Sequence, residues 1–237
     1  MKYRRAIVKF SGEILRRGDD TISIDIVRAL CSEIKDLRDS GISIGIVIGG
    51  GNIFRGTGKR ICVDYDHISV DYMGMLATVI NAIAIADCLR TLSVAAEVFS
   101  ALPMVSVCET YHVRHAKKSM DDGNVLLLAG GTGNAFFSTD TAAAMRANEL
   151  RADVIVKGTK VDGVYDKDPK VHGDAKKFSK ISFQDVLLRR LNVMDSTAFS
   201  LCMDNDMPIV IVDAERNLKS IGRALLGEEI GTTIANH

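Results

Sequence analysis

The chain has no tryptophan and only 3 prolines in 237 residues, and no stretch rich in glycine, serine and proline interrupts it. Nothing in the composition therefore marks a linker between domains. An excess of either charge is also missing, since 30 Lys and Arg balance 30 Asp and Glu. That balance excludes a global field of the kind that gathers DNA, RNA or an anionic membrane, and any anion site has to be local. The 5 cysteines, Cys31, Cys62, Cys88, Cys108 and Cys202, are odd in number, widely spaced and without a CxxC pair. This argues against a disulfide framework or a zinc site and for reduced packing thiols. The amino terminus turns apolar only briefly after MKYRR, which is too short for a secretory signal, and no run of about 18 uncharged apolar residues suggests a membrane span. Internal repeats and low-complexity tracts are absent. A cytoplasmic protein forming one domain over residues 1–237 is expected, its 47% hydrophobic residues sufficing for a substantial core.

What the chain does have is glycine placed directly after apolar strands. In the stretch 42–58, Ile42, Ile44, Ile46, Val47 and Ile48 suit a strand covered on both faces. Gly49, Gly50 and Gly51 follow at once and are expected to turn with positive φ, baring their amides. Arg55, in the same loop, carries a permanently charged planar fork suited to a phosphate. Neither the P-loop signature nor the spaced-glycine dinucleotide fingerprint fits, and a tight turn without ligand is the alternative use of such glycines.

A second apolar strand, 124–129, runs into Gly130-Gly131-Thr132-Gly133-Asn134-Ala135-Phe136-Phe137-Ser138-Thr139-Asp140. Thr132, Asn134, Ser138 and Thr139 offer neutral donors near the start of an alanine-rich helix expected over 141–150, where amides and dipole favour a phosphate. An ordinary N-cap cluster is the other use of Ser-Thr-Asp. Asp140 beside an anion site costs electrostatic energy unless it positions a cation, which makes it a catalytic candidate. Lys9, near the end of the strand 5–10 and before Ser11-Gly12, and Lys157, ending the strand 153–157, place cations where an α/β sheet presents chemistry. Each taken alone could equally face solvent. Tyr165 is placed to lie against a base, and Asp168 before Pro169 favours an extended turn.

Helical spacing is found over 25–40 and over 64–92, where Asp71 could cap the helix or accept from a ligand hydroxyl. Strands are expected over 95–101, 208–212 and 231–234. Helices are expected over 111–120, over 183–190 with Ser182 as cap, over 194–205 beside Asp195, and over 217–226, with a solvated loop at 171–180. His112 and His115 stand three apart without a third metal ligand. The alternation implies an α/β fold, a three-layer α/β/α sandwich with a mainly parallel central sheet and loops gathered at the strands' carboxyl ends.

Six segments in this order, VKFSGE, VIGGGNIFRG, DYMGMLATVINA, AGGTGNAFFSTD, KGTKVDGVYDKDP and VMDSTAFSLC, resemble the bacterial uridylate kinases of the amino-acid kinase family. The resemblance spans nearly the whole chain. It implies transfer of the γ-phosphate of ATP to UMP with Mg2+, yielding UDP and ADP for pyrimidine nucleotide synthesis, by a cytoplasmic, allosteric homohexamer inhibited by UTP. By this similarity Lys9, Phe10, Ser11, Gly12, Gly51, Arg55, Thr159, Tyr165 and Asp168 would bind ATP. Gly50, Asp71, Thr132, Gly133, Asn134, Ala135, Phe136, Phe137, Ser138 and Thr139 would bind UMP. Lys9, Lys157 and Arg55 would neutralise the transferring phosphoryl group, with Asp140 and Asp195 orienting the lysines and loops. Neither a protein metal ligand nor a nucleic-acid or membrane partner is implied. No general base is needed, because a phosphate oxygen of UMP is already ionised near neutral pH. Ala135 replaces a common proline and Gly158 a common alanine, so both loops are expected to be looser. The segment 16–23 lacks the Gly-rich sequence that many members carry around an effector GTP. Related kinases acting on carboxylates such as acetylglutamate, aspartate or carbamate, and a nucleotide-binding protein without turnover, are the alternatives.

Overall fold

The computed structural model describes residues 2–55, 65–169, 171–191 and 193–236. The end of the first glycine loop, Cys62 and the helix start expected at 64 lie outside the described residues.

The apolar runs become strands β1 (Arg5–Phe10), β2 (Ser43–Ile48), β3 (Ala96–Ser100), β5 (Val125–Ala129), β6 (Val154–Thr159), β8 (Ile209–Asp213) and β9 (Thr232–Ala235). Two further strands, β4 (Glu109–Thr110) and β7 (Lys180–Ser182), escape a reading by hydrophobic pattern because they are short and mostly polar. The loop expected over 171–180 thus ends in the start of an edge strand. The nine strands form one sheet in the order β4-β3-β5-β2-β1-β6-β8-β9-β7. Neighbours run parallel except at β8–β9.

Helices α1 (Ile24–Asp39), α2 (His67–Thr91) and α7 (Lys219–Leu226) cover one face. The other face is covered by α3 (Val113–Asp121), α4 (Thr139–Glu149), α5 (Phe183–Leu188) and α6 (Ser196–Asp204). Alternation along each strand feeds the two cores: Ala6, Val8 and Phe10 pack toward the first layer and Ile7 toward the second. This is the expected three-layer α/β/α sandwich. Helix α2 is long and apolar enough to cross a membrane by length and composition, with half of its most apolar window buried inside the protein. Cys31 and Cys202 are buried, Cys88 and Cys108 half-buried, and none of these four is in a disulfide.

The chain order reverses around the β2–β1 pair, because β5 lies on one side of it and β6 on the other. In open α/β sheets that reversal opens a crevice at the strands' carboxyl ends. Lys9 and Lys157 are register partners on β1 and β6. They share the face of Ile7 and Ile155, beneath α4.

Candidate active site

Asp140 enters from the first turn of α4 and meets both lysines. Its Oδ1 lies 2.5 Å from Lys9 Nζ and its Oδ2 2.6 Å from Lys157 Nζ. All three side chains are nearly excluded from water, at 10, 12 and 12% exposure for Lys9, Lys157 and Asp140. Lys157 donates a second hydrogen bond to Val193 O at 2.6 Å. Burial works to raise the Asp140 carboxyl, but the Lys9 and Lys157 ammonium groups outweigh it and hold the carboxyl below its usual value. Burial, with the charge of Lys9 added, pushes Lys157 down against the pull of Asp140. By formal charge the triad brings two ammonium groups to one carboxylate.

Two cavities flank it. The smaller, about 240 Å³, is lined by Gly50, Gly51, Phe54, His67, Asp71, Gly131, Phe137 and Thr139, among others. The larger, about 570 Å³, is lined by Thr159, Val161, Tyr165, Asp168, Arg190 and Val193, among others. Thr139 precedes Asp140 in the chain and Val193 receives the Lys157 hydrogen bond, so the triad adjoins a lining residue of each, although Lys9, Asp140 and Lys157 line neither.

The first glycine loop departs from its expected conformation, because Gly49, Gly50 and Gly51 are absent from the residues with positive φ. Glycine is demanded here by close approach. A Cβ on Gly50 would stand 2.7 Å from Ala77 Cβ and Gly74 O, and one on Gly12 would stand 2.3 Å from Gly49 O. The second loop does turn as glycine permits, with φ of 74°, 58° and 82° at Gly130, Gly131 and Gly133. Gly158 belongs to β6 and is no loosened loop position: a Cβ there would meet Ala214 Cβ at 2.7 Å and the Phe10 ring at 3.0 Å.

Asp71 does not cap its helix, since Asp66 occupies the N-cap position. Its Oδ2 instead accepts the Phe136 amide at 2.7 Å and lies 3.3 Å from His67 Nδ1, tying α2 to the second loop. Phe136, at φ 71°, stacks on His67 with ring centroids 5.0 Å apart. Ser138 is the N-cap of α4, which begins two residues earlier than expected, its Oγ accepting from the amides of Asp140 and Thr141. Asp195 caps α6 through Ala198 N and receives hydroxyl bonds from Ser138 and Thr141. It orients the loop and the start of α4, while Asp140 holds the lysines.

Thr132, Gly133, Asn134, Ala135, Phe136 and Ser138 do not line the smaller cavity, whereas Gly51, expected beside the donor, does. The Thr132 hydroxyl donates to Asn134 O and accepts from Asn134 N, both at 3.1 Å, and so shapes the loop from within. On the other side, Thr159 OH donates to Val161 O at 2.7 Å and Tyr165 OH to Asp162 at 2.6 Å. Ser11 is the N-cap of a 3-10 turn, Gly12–Leu15, not foreseen in the sequence. Arg55 is paired with Glu13. The His112 and His115 rings lie 5.0 Å apart, tilted by 48°, and no metal cluster of three ligands forms among the described residues.

Sequence reasoning missed Asn52 and Asn81. Their side chains bond reciprocally at 2.7 and 2.9 Å, and Asn81 also donates to Gly49 O at 2.8 Å. Thr78 Oγ1 accepts from Gly130 N at 2.8 Å. Helix α2 thereby fixes both glycine loops from below. The available signal was two polar residues, Thr78 and Asn81, inside an otherwise apolar helical run.

The sequence model described as the amino acid kinase family matches residues 4–213. The crystal structure of UMP kinase from Bacillus anthracis is 31% identical with a TM-score of 0.95, covering 100% of this chain and 97% of that one. The UMP kinase from Ureaplasma parvum is 32% identical with a TM-score of 0.93, covering 100% of both chains. The uridylate kinase from Archaeoglobus fulgidus, 24% identical with a TM-score of 0.73, covers 97% of this chain and 99% of that one and shares the fold. With a family match over most of its length and full-length relatives above 30% identity, the chain belongs to the amino acid kinase family.

Proposed function

We propose that this protein is an ATP-dependent UMP kinase, transferring the γ-phosphate of ATP to UMP to give UDP and ADP in pyrimidine nucleotide synthesis. The observation that carries this reading is the buried Lys9–Asp140–Lys157 triad adjoining, through Thr139 and Val193, lining residues of two cavities, together with UMP kinases among the similar structures. Phosphoryl transfer asks for positioning and for cations at the developing charge. ATP takes the larger cavity, with Thr159, Tyr165 and Asp168 toward its nucleoside and Ser11, Gly12 and Arg55 toward its phosphates. UMP takes the smaller, with Gly50, Asp71 and the second glycine loop around it. Lys9 and Lys157 then face the transferring group from neighbouring strands. Asp140 holds both ammonium groups in place, and Asp195 keeps the acceptor loop in register with them.

When bound together with ATP, magnesium would supply neutralisation of phosphate charge and would ask for few protein ligands. The nearby carboxylates suit that arrangement, because Asp140 and Glu13 are each already shared between two cations.

The same proposal covers the chain's setting. Residues 1–237 act as one domain in the cytoplasm. Ile68, Tyr72, Leu76, Ile80 and Ile83 form an exposed apolar stripe along α2 at helical spacing, which a second copy of the chain covers within a homohexamer. UTP, sharing uracil and ribose with the acceptor, inhibits.

The test is ADP release by the full chain with ATP and magnesium, offering UMP, CMP, dUMP, acetylglutamate or no acceptor. Turnover with UMP far above the others is expected. Binding of ATP or UMP without ADP release would overturn the kinase reading in favour of a nucleotide-binding protein.

A further inference from the structure

Adjacent strands β2, β1, β6 and β8 each send a loop from their carboxyl ends, and each loop carries one charge into a single alternating row. Arg55 follows β2, Glu13 follows β1, Lys160 follows β6 and Glu215 follows β8. Glu13 divides its carboxylate between two cations: Oε1 pairs with Arg55, and Oε2 lies 3.2 Å from Lys160 Nζ. Lys160 reaches Glu215 Oε2 at 3.5 Å. The Glu13 side chain is only 22% exposed, against 62% for Arg55 and 56% for Lys160. Burial works to raise the Glu13 carboxyl, yet Lys160 and Arg55 outweigh it and hold it below its usual value. The bond to Glu13 in turn raises Lys160, which stays charged.

The position of the row is informative. Lys160 lies between Thr159 and Val161, both of which line the larger cavity. Glu13 Cγ is 3.9 Å from where a Cβ on Gly51 would stand, and Gly51 lines the smaller one. Exposed ion pairs of this kind are weakly held. A triphosphate offers both cations several charged oxygens at once, so they re-pair with it at little loss while remaining tethered to the flanks of the cleft.

We propose that Lys160 is a further ligand of the donor's phosphate chain, and that Glu13 is a positioning residue holding Lys160 and Arg55 on opposite sides of that chain's path. This rests on the proposed function only in taking the donor to be a nucleoside triphosphate. The acceptor does not enter it.

The experiment is direct calorimetric binding of magnesium–ATP, and separately of UMP, to the full chain and to its Lys160→Met, Lys160→Arg and Glu13→Gln variants. Lys160→Met is expected to weaken ATP binding about tenfold, the size of one charged hydrogen bond. Affinity for UMP and unfolding temperature stay unchanged. Lys160→Arg keeps most of the affinity, and raising the salt concentration narrows the gap between Lys160→Met and the wild type. Glu13→Gln is expected to weaken ATP binding by a smaller factor, and by less again in a Lys160→Met background. ATP affinity within twofold of wild type for Lys160→Met would overturn the inference, as would an equal loss of UMP binding. Tighter ATP binding by Glu13→Gln would make that carboxylate a competitor and overturn its positioning role. A wild-type chain that binds no ATP would instead bring down the proposed function, and the inference with it.

Discussion

Replacing Asp140 by asparagine keeps its shape and removes the single negative charge shared by two buried ammonium groups. Stranding charge in this way costs about 3–5 kcal/mol when one partner of a buried pair is lost. The 10 and 12% exposure of Lys9 and Lys157 leaves little water to take over. For a chain of 237 residues the unfolding entropy is on the order of 0.5 kcal/mol per degree, so the melting temperature should fall by roughly 6–10 °C at pH 7. The pH dependence supplies the sharper check. Lys157 is already pushed below its ordinary value by burial and by Lys9, against the pull of Asp140 and, more weakly, of Asp195; removing Asp140 leaves the depressing causes opposed by Asp195 alone. Between its folded value and the ordinary value of 10.5, such a lysine binds fewer protons folded than unfolded. Stability therefore rises with pH across that window. Thermal unfolding of Asp140→Asn and wild type from pH 7 to 10, followed by circular dichroism, should show a deficit that shrinks as the pH rises. A melting temperature within about 2 °C of wild type at pH 7, or a deficit constant across the range, would refute the charge argument. Adding Lys157→Met should recover part of the loss, since residues in contact are non-additive.

Lys157→Met is expected to lower phosphoryl transfer by about 10²–10³-fold, the scale of one electrostatic donor at a reacting centre, while ATP still binds; rapid-quench kinetics under saturating substrates would read it. Asp71→Asn should raise the KM for UMP by about tenfold, through a weakened charged hydrogen bond, with the KM for ATP unchanged, and steady-state kinetics with each substrate varied would separate the two. Ile80→Asp places a charge in the middle of the exposed stripe on α2 and, if a second copy covers that stripe as proposed, should shift the protein to smaller species in sedimentation velocity; an unchanged distribution would refute a contact between copies at this stripe.

The sequence made some parts of this molecule easy to read and hid others for identifiable reasons. Strands such as β2 and β5 are runs of buried aliphatic residues whose pattern is local, so their ends fell within a residue or two of expectation. The pairing of Lys9 with Lys157 is not local, because it depends on β1 and β6 becoming neighbours across a crossover. Each lysine alone could have been a solvated strand end. Glycine was legible as a need but not as a reason: Gly130, Gly131 and Gly133 supply positive φ, whereas Gly50 makes room for Ala77 and Gly74. The Asn52–Asn81 pair and the row from Arg55 to Glu215 join residues far apart in the chain. Spacing along one segment carries no information about them.

The electrostatics of the smaller cavity bear on which acceptor a kinase of this fold would take. Asp71 lines it with a carboxylate that already serves the Phe136 amide through Oδ2, and Oδ1 has no hydrogen bond among the described residues. A dicarboxylate acceptor such as acetylglutamate would bring a further negative charge toward this oxygen, and like charges at close range are costly in a partly dehydrated site. A nucleotide's ribose brings hydroxyl donors, which satisfy the same oxygen, while its phosphate can lie toward the excess cation of the Lys9–Asp140–Lys157 triad. The cavity thus pairs a site that wants donors with a site that wants an anion, and a molecule carrying hydroxyls at one end and a phosphate at the other meets both. Asp71→Asn should accordingly lower discrimination against acetylglutamate in a competition with UMP. If discrimination were unchanged, the selection against carboxylates would have to come from the shape of the second glycine loop.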